Sequence, residues 1–341
     1  MLSVRAEKIL NFIVGQHVEK AVPVPSQSIA NDSELGVSPA TIRNEMARLE
    51  QEGYIIRAHP SAGSIPSDKG YRYYVESLKE LMLSPSEQRL MSHLFHQVEK
   101  ELEKWLSLAA TLLAQQVQNV AVVTTPKSAD CRFKHLELVH LQDSLALVVI
   151  VLHGAKVRQQ LIIFDQVVAQ PELTAMANRL NAAFAGLTRR KILEKDPGLS
   201  PVEQQIADLL LNMMKTEDEQ QYEEPYLDGW HFMLEQPEFT RGHQMLDLIE
   251  LVEHRSLLQN IIPKELRSHQ VQVIIGKENK SEAFHNCSVV ISKYGVPDEA
   301  VGTVGVLGPT RMSYAHTISA VGYLSSLLSG LVAGLYGRGN A

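Results

Sequence analysis

Between Gly36 and Gly53 the chain reads GVSPATIRNEMARLEQEG, and its side chains have the types and spacing needed to read a nucleic-acid duplex. On a helix turning about 100° per residue, Ile42, Met46 and Leu49 share one narrow apolar stripe. Ala40, Asn44, Ala47 and Gln51 fall opposite it, with Thr41 and Arg48 beside them. The chemistry of such a face is direct readout: Asn44 can pair with adenine, Arg48 can reach guanine or phosphate, and Thr41 adds a hydroxyl. Ala40 and Ala47 are small enough for close approach, Ala40 beside a thymine methyl. Ser38 suits the N-cap and Pro39 the first turn, where a missing N–H costs nothing. An ordinary surface helix would also turn polar residues outward, so the flanking elements decide between the two.

Those elements describe a winged helix-turn-helix. Ser3 can cap a first helix to about Glu19 that turns Ile9, Leu10, Ile13, Val14 and Val18 inward. The Pro-rich turn VPVPS leads to Ser26, a candidate cap for a short second helix, and the helix ending at Gly53 follows. Tyr54, Ile55 and Ile56 have strand character, and the Pro- and Gly-containing stretch from Arg57 to Pro66 suits a wing. Ser67 then opens a helix with Lys69, Arg72 and three tyrosines. In such a domain the third helix enters the major groove and the wing touches the backbone. Arg43, Arg57, His59, Ser61, Lys69 and Arg72 are accordingly the candidates for positioning the sugar-phosphate backbone.

A chain of 341 residues implies two or three domains, and its 45% apolar and 21% charged residues are ordinary for a soluble protein. The net charge is −7, yet residues 1–75 hold eight basic and eight acidic side chains, so a basic DNA-facing surface must come from placement rather than excess. Two cysteines, Cys131 and Cys287, fit a reducing cytoplasm, and MLSVRAEKIL lacks the apolar run of a signal peptide. Residues 315–335 are apolar and long enough to span a bilayer. Ile318, Val321, Leu324, Leu328, Leu331 and Leu335 on one side make a docked amphipathic helix the better reading, with no membrane partner.

No catalytic, metal-binding or cofactor constellation is expected. His135, His140 and His153 are scattered among strands, and Gly302, Gly305 and Gly308 match no phosphate-loop spacing and lack a following lysine. Ser84-Pro85-Ser86-Glu87 is a capping box, and Leu90, Leu94, Val98, Leu102, Trp105, Ala109 and Leu112 predict one long helix to about Gln116. Strands AVVTT, FKHLELVHL, LALVVIVL and VRQQLIIF follow. A mostly helical region comes next, with a second capping box at Ser200–Glu203 and six carboxylates between Thr216 and Asp228, expected as a solvated acidic loop. A helical pattern from His243 to Ile262, strands VQVIIG, CSVVISKY and GTVGVLGP, and a C-terminal helix complete a sensor-like α/β pattern.

SPATIRNEMARLEQEG, SAGSIPSDKGYRYYV, IGKEN, CSVVISKYG and VGTVGVLGPTRMSY together resemble the heat-inducible transcription repressor HrcA family over essentially the whole chain. The resemblance implies an α+β multidomain fold: a winged helix-turn-helix at 1–78, a connector helix and the first part of a GAF-like α/β domain at 79–170, an inserted, mainly helical dimerisation domain at 171–240, and the rest of the GAF-like domain at 241–341. It implies a cytoplasmic, nucleoid-associated bacterial homodimer that represses chaperone genes from an inverted-repeat operator, CIRCE, is kept active by the GroEL chaperonin, and is released on heat stress. A winged-helix regulator whose GAF-like domain senses a small metabolite is the rival reading, and a chaperonin-bound scaffold with no DNA role is a third. Two departures from the family pattern remove positive charge: Ser64 stands where the family has an arginine after S-A-G, and Gln27 where an arginine is common. If the residue at 64 faces phosphate, Ser64→Arg should tighten binding to most duplexes alike.

Overall fold

The computed structural model describes residues 2–31, 38–57, 63–79, 81–98, 101–127, 131–153, 157–219, 225–239, 270–297 and 299–335. The chain forms two compact units, one of residues 1–125, 224–295 and 302–341 and one of residues 126–223 and 296–301.

In the first unit, α1 (Val4–Lys20) is capped by Ser3, whose side chain accepts from the Ala6 N–H, and ends where Ala21 takes a left-handed conformation. The short α2 (Ser26–Ala30) starts without a side-chain cap, because Pro25 holds the N-cap place that Ser26 was expected to fill. α3 (Pro39–Gln51) is capped by Ser38 and closed by Gly53 at φ +78°, where the Tyr54 N–H reaches back to the Leu49 carbonyl. β1 (Ile55–Arg57) and β2 (Ser64–Pro66) pair antiparallel and lead into α4 (Asp68–Ser77), capped by Ser67. Ile9, Leu10, Ile13, Ile29, Ile42, Met46, Leu49 and Ile55 are buried in the core of this small domain. Each contributes about 1.5–3 kcal/mol through burial, which outweighs the modest helix propensity of so short a segment as α2.

The expected long helix is two. α5 (Pro85–Gln97) begins at the Ser84 capping box and ends at an extended Val98, and α6 (Leu102–Val117) begins after an extended Glu101. Leu90 lies exposed while Met91 and Phe95 are buried, so the inward face of α5 sits one residue away from the stripe read from the sequence. β3 (Val120–Val123), β7 (Tyr226–Asp228), β8 (Gln272–Ile275), β9 (Cys287–Val296) and β10 (Ala300–Pro309) form a five-stranded sheet in the order β7-β3-β10-β9-β8. Val120, Val122, Val289, Ile291 and Leu307 pack with Met233, from α10 (Trp230–Leu234), and with Phe239 and Phe284 on one face.

The alternate residues face the last helix, α11 (Tyr314–Leu335), where Ser288 meets the Tyr314 hydroxyl and Ser292 meets Ser325. That helix is apolar and long enough to cross a membrane, yet Tyr314, Thr317, Val321, Leu324 and Leu328 recur at helical spacing as its buried face. The predicted helix at 243–262 lies outside the described residues.

The second unit is built on a meander of β4 (Phe133–Gln142), β5 (Leu145–Leu152) and β6 (Val157–Ile163). Asp143 at φ +41° makes the tight turn between the first two strands. Leu136, Leu138, Val148, Ile150 and Ile162 share one core with residues of α7 (Gln170–Phe184), α8 (Arg189–Leu193) and α9 (Pro201–Glu219). The insert boundary expected at 171 therefore falls inside a compact unit: the strands and helices on either side bury the same apolar surface. The acidic stretch is not simply a solvated loop. Glu217 is 3% exposed, 2.8 Å from Arg158 and 3.7 Å from Lys127, Asp218 accepts from the Cys131 N–H, and in the first unit Asp228 accepts from Thr111. Both cysteines are free and buried, and burial pushes the Cys287 thiol up to about 12.

Candidate nucleic-acid interface

Burial of Ile42, Met46 and Leu49 against α1 and α2 fixes the rotation of α3, so its remaining sides are decided by the helical repeat. Ala40, Arg43, Asn44, Ala47, Arg48 and Gln51 are all exposed, and Thr41 is half-buried. At the N-terminal end the Ser38 side chain accepts from the Thr41 N–H at 3.2 Å and lies 3.0 Å from the Thr41 hydroxyl. Arg43 folds back to the Pro39 carbonyl, and Arg48 donates to Glu52 at 2.8 Å, a hydrogen bond that raises its pKa further. Asn44 has no hydrogen-bond partner among the described residues, so its amide is available to an outside donor-acceptor pair.

The backbone-positioning candidates are placed less uniformly. Lys69 donates to the Glu52 carbonyl at 2.7 Å and lies 4.3 Å over the Tyr54 ring, at the C-terminal end of α3. Arg57 lies 3.7 Å from Glu50 at the wing base. His59 and Ser61 lie outside the described residues. Arg72 stands apart, because its guanidinium is closed on Glu278 and on the Val273 carbonyl. Glu278 sits in the stretch IGKEN, and nothing in the sequence pairs it with residue 72.

Ser64 corrects a further expectation. Its side chain is fully buried, its hydroxyl has no partner among the described residues, and its N–H and C=O bond the backbone of Val24 at 2.9 Å each way. Gly63 beside it is so close to Pro23 and Val24 that a Cβ would lie 2.6 Å from backbone. A guanidinium at 64 would have to enter this seam rather than face phosphate, so the expected gain in affinity from Ser64→Arg does not follow. Gln27, by contrast, is exposed on α2.

This fold and this helix have close counterparts. The family model described as HrcA protein C terminal domain matches residues 103–318, and that of the DeoR-like helix-turn-helix domain matches residues 32–68. A curated heat-inducible transcription repressor HrcA from Dehalococcoides mccartyi is 54% identical over 99% of this chain and 98% of its own length. The chain belongs to the HrcA family. Another member, from Roseiflexus castenholzii, is 40% identical over 98% of this chain and 96% of its own length. A crystal structure of a hypothetical protein shares the fold, with a TM-score of 0.58 at 23% identity over 98% of this chain and 99% of that one. The curated HrcA relatives are named as repressors of transcription, a role that calls for a DNA-binding surface and no catalytic site.

Proposed function

We infer that the chain is a heat-inducible repressor of chaperone genes that binds the inverted-repeat operator CIRCE as a homodimer. The single observation that carries this reading is the open outer face of α3, with Ala40, Asn44 and Arg48 exposed on a helix whose other side is buried and whose start is capped. Thr41, Asn44 and Arg48 read base edges, Ala40 approaches a thymine methyl, and Ser38, Arg43, Arg57, His59, Ser61 and Lys69 hold the backbone. Arg72 leaves that set because its fork is already occupied. Two copies of α3 related by a dimer axis occupy successive major grooves, so the symmetry of the protein is mirrored in the operator.

The homodimer is supported by the outer face of the β4–β6 meander. Across the strands, Val139 stands opposite Leu147 and Leu147 opposite Leu161, while Leu145 faces Ile163 and Val151 faces Val157. Leu161 and Ile163 are 54% and 68% exposed, which makes a contiguous apolar surface suited to a self-complementary contact. The five-stranded sheet under α6 and α11 supports the GAF-like assignment. Cytoplasmic action at the nucleoid, support by GroEL and release when heat loads that chaperonin with unfolded clients follow from the family reading.

The test is a gel-shift series with purified dimer on CIRCE and scrambled duplexes, with and without chaperonin. Asn44→Ala is expected to lower discrimination by about 1–3 kcal/mol per half-site while leaving the melting temperature unchanged. Equal weakening on both duplexes would remove Asn44 from base reading, and no shift of wild-type protein at any salt would reject the operator itself.

A further inference from the structure

Three of the family-like stretches meet on the back of the winged helix. Asp68, Tyr71 and Arg72 come from α4, Gly276, Lys277 and Glu278 from the turn after β8, and Arg311 and Tyr314 from the approach to α11. Arg72 donates from Nε to Glu278 Oε1 at 2.8 Å, and from Nη2 to Glu278 Oε2 and to the Val273 carbonyl, the last at 2.7 Å. Glu278 is oriented in turn by the Ile275 N–H, which donates to its Oε2 at 2.8 Å. The Lys277 N–H donates to Asp68 Oδ2 at 3.0 Å. Gly276, at φ +52°, lies bare against that carboxylate, where a Cβ would come within 2.4 Å.

A second anchor reaches α1. Arg311 donates from Nη1 to the Val18 carbonyl in the last turn of α1 at 2.8 Å, and is itself held by Glu238 at 2.7 Å and Gln236 at 2.6 Å. Between the two anchors the Tyr71 and Tyr314 rings pack at 5.7 Å, the Tyr71 hydroxyl bonds His17 Nδ1 at 2.7 Å, and the Tyr314 hydroxyl meets Ser288 at 2.7 Å. A planar guanidinium with two parallel bonds to one carboxylate fixes direction as well as distance. The bidentate pair on α4 and the single Arg311 bond to the end of α1 hold the winged helix at two separated points, which restrains its rotation.

None of these groups covers α3, whose Ala40, Asn44, Ala47, Arg48 and Gln51 stay exposed in the docked arrangement. The contact therefore orients the recognition helix without blocking it. A dimeric helix-turn-helix protein reads half-sites at one geometric separation, about 10–10.5 base pairs or a multiple, and only if its recognition helices are held at a set angle. We propose that this dock sets the angle of α3, so that Asp68, Arg72, Gly276, Glu278 and Arg311 act as positioning residues that determine half-site spacing without touching DNA. The proposal rests on the reading of α3 as the operator-binding helix.

The experiment compares full-length wild-type protein, Arg72→Ala, and the exchanged pair Arg72→Glu with Glu278→Arg on inverted repeats whose spacer is altered by about five base pairs, half a helical turn. Wild type is expected to lose affinity at least about tenfold on the altered spacer, Arg72→Ala no more than about threefold, and the exchanged pair, which restores the ion pair but not the bonds to Val273 and Ile275, to regain part of the preference. In parallel, hydrogen exchange at the Lys277 amide is expected to rise at least about tenfold in Arg72→Ala, because that N–H is held by Asp68 only while the domain is docked. Opening of the dock with an unchanged spacing profile would overturn the proposal alone. Unchanged exchange in both Arg72→Ala and Asp68→Ala would overturn it too. Wild-type protein that shifts none of the probes would instead overturn the operator reading beneath it.

Discussion

α3 and α4 are close neighbours in one small domain, each opened by a serine cap and each bearing basic and hydrogen-bonding side chains, yet they use those groups in opposite ways. On α3, Arg43 and Arg48 bond, among the described residues, to their own helix or its end, the Pro39 carbonyl and Glu52, and both stay exposed. On α4, Asp68 and Arg72 are closed on Lys277 and Glu278 some two hundred residues away, and Lys69 is held by the Glu52 carbonyl. A bond to one's own helix is worth little and can be exchanged for a phosphate or a base. A bidentate pair with a second backbone acceptor, half sheltered from water, is not exchanged so readily. The outer face of α3 thus meets a ligand, while Asp68 and Arg72 of α4 meet the rest of the protein and Lys69, held at the end of α3, stays with the DNA-facing set.

The division can be broken in several places. The largest effect is expected at the wing base: Ser64→Arg overpacks a seam that this chain closes around a serine and should cost about 1–3 kcal/mol in a denaturant melt. A stable Ser64→Arg protein with tighter binding would return residue 64 to the DNA-facing surface. Ser38→Ala removes the cap of α3 and should cost about 1 kcal/mol by the same melt, with operator binding falling because the helix start frays. The smallest effect is the sharpest: Arg43→Ala should flatten the dependence of log K on log salt by about 0.9, and Arg72→Ala should leave that slope unchanged. A slope that falls with Arg72→Ala would put Arg72 on the phosphate side after all.

Local chemistry was readable wherever one element settled it. The stripe of Ile42, Met46 and Leu49 and the caps Ser3, Ser38, Ser67 and Ser84 follow from the helical repeat and from orphan backbone N–H groups. The break between α5 and α6 is invisible in the sequence because apolar residues continue at helical spacing across it, and periodicity does not report where a chain turns away. The acidic stretch from Glu217 to Asp228 looked like solvated charge because its cations, Lys127 and Arg158, lie far off in sequence.

The sequence by itself determined which residues α3 turns inward and which outward, since burying one apolar stripe leaves a 3.6-residue helix no other rotation. It also carried the family, through stretches at both ends of the chain. Only the tertiary structure decided which cations remain for DNA. Arg72 and Arg48 read alike in a line of letters, but ion pairing depends on the distance and direction of a partner, and Glu278 becomes a neighbour only after the sheet and the winged helix are folded together.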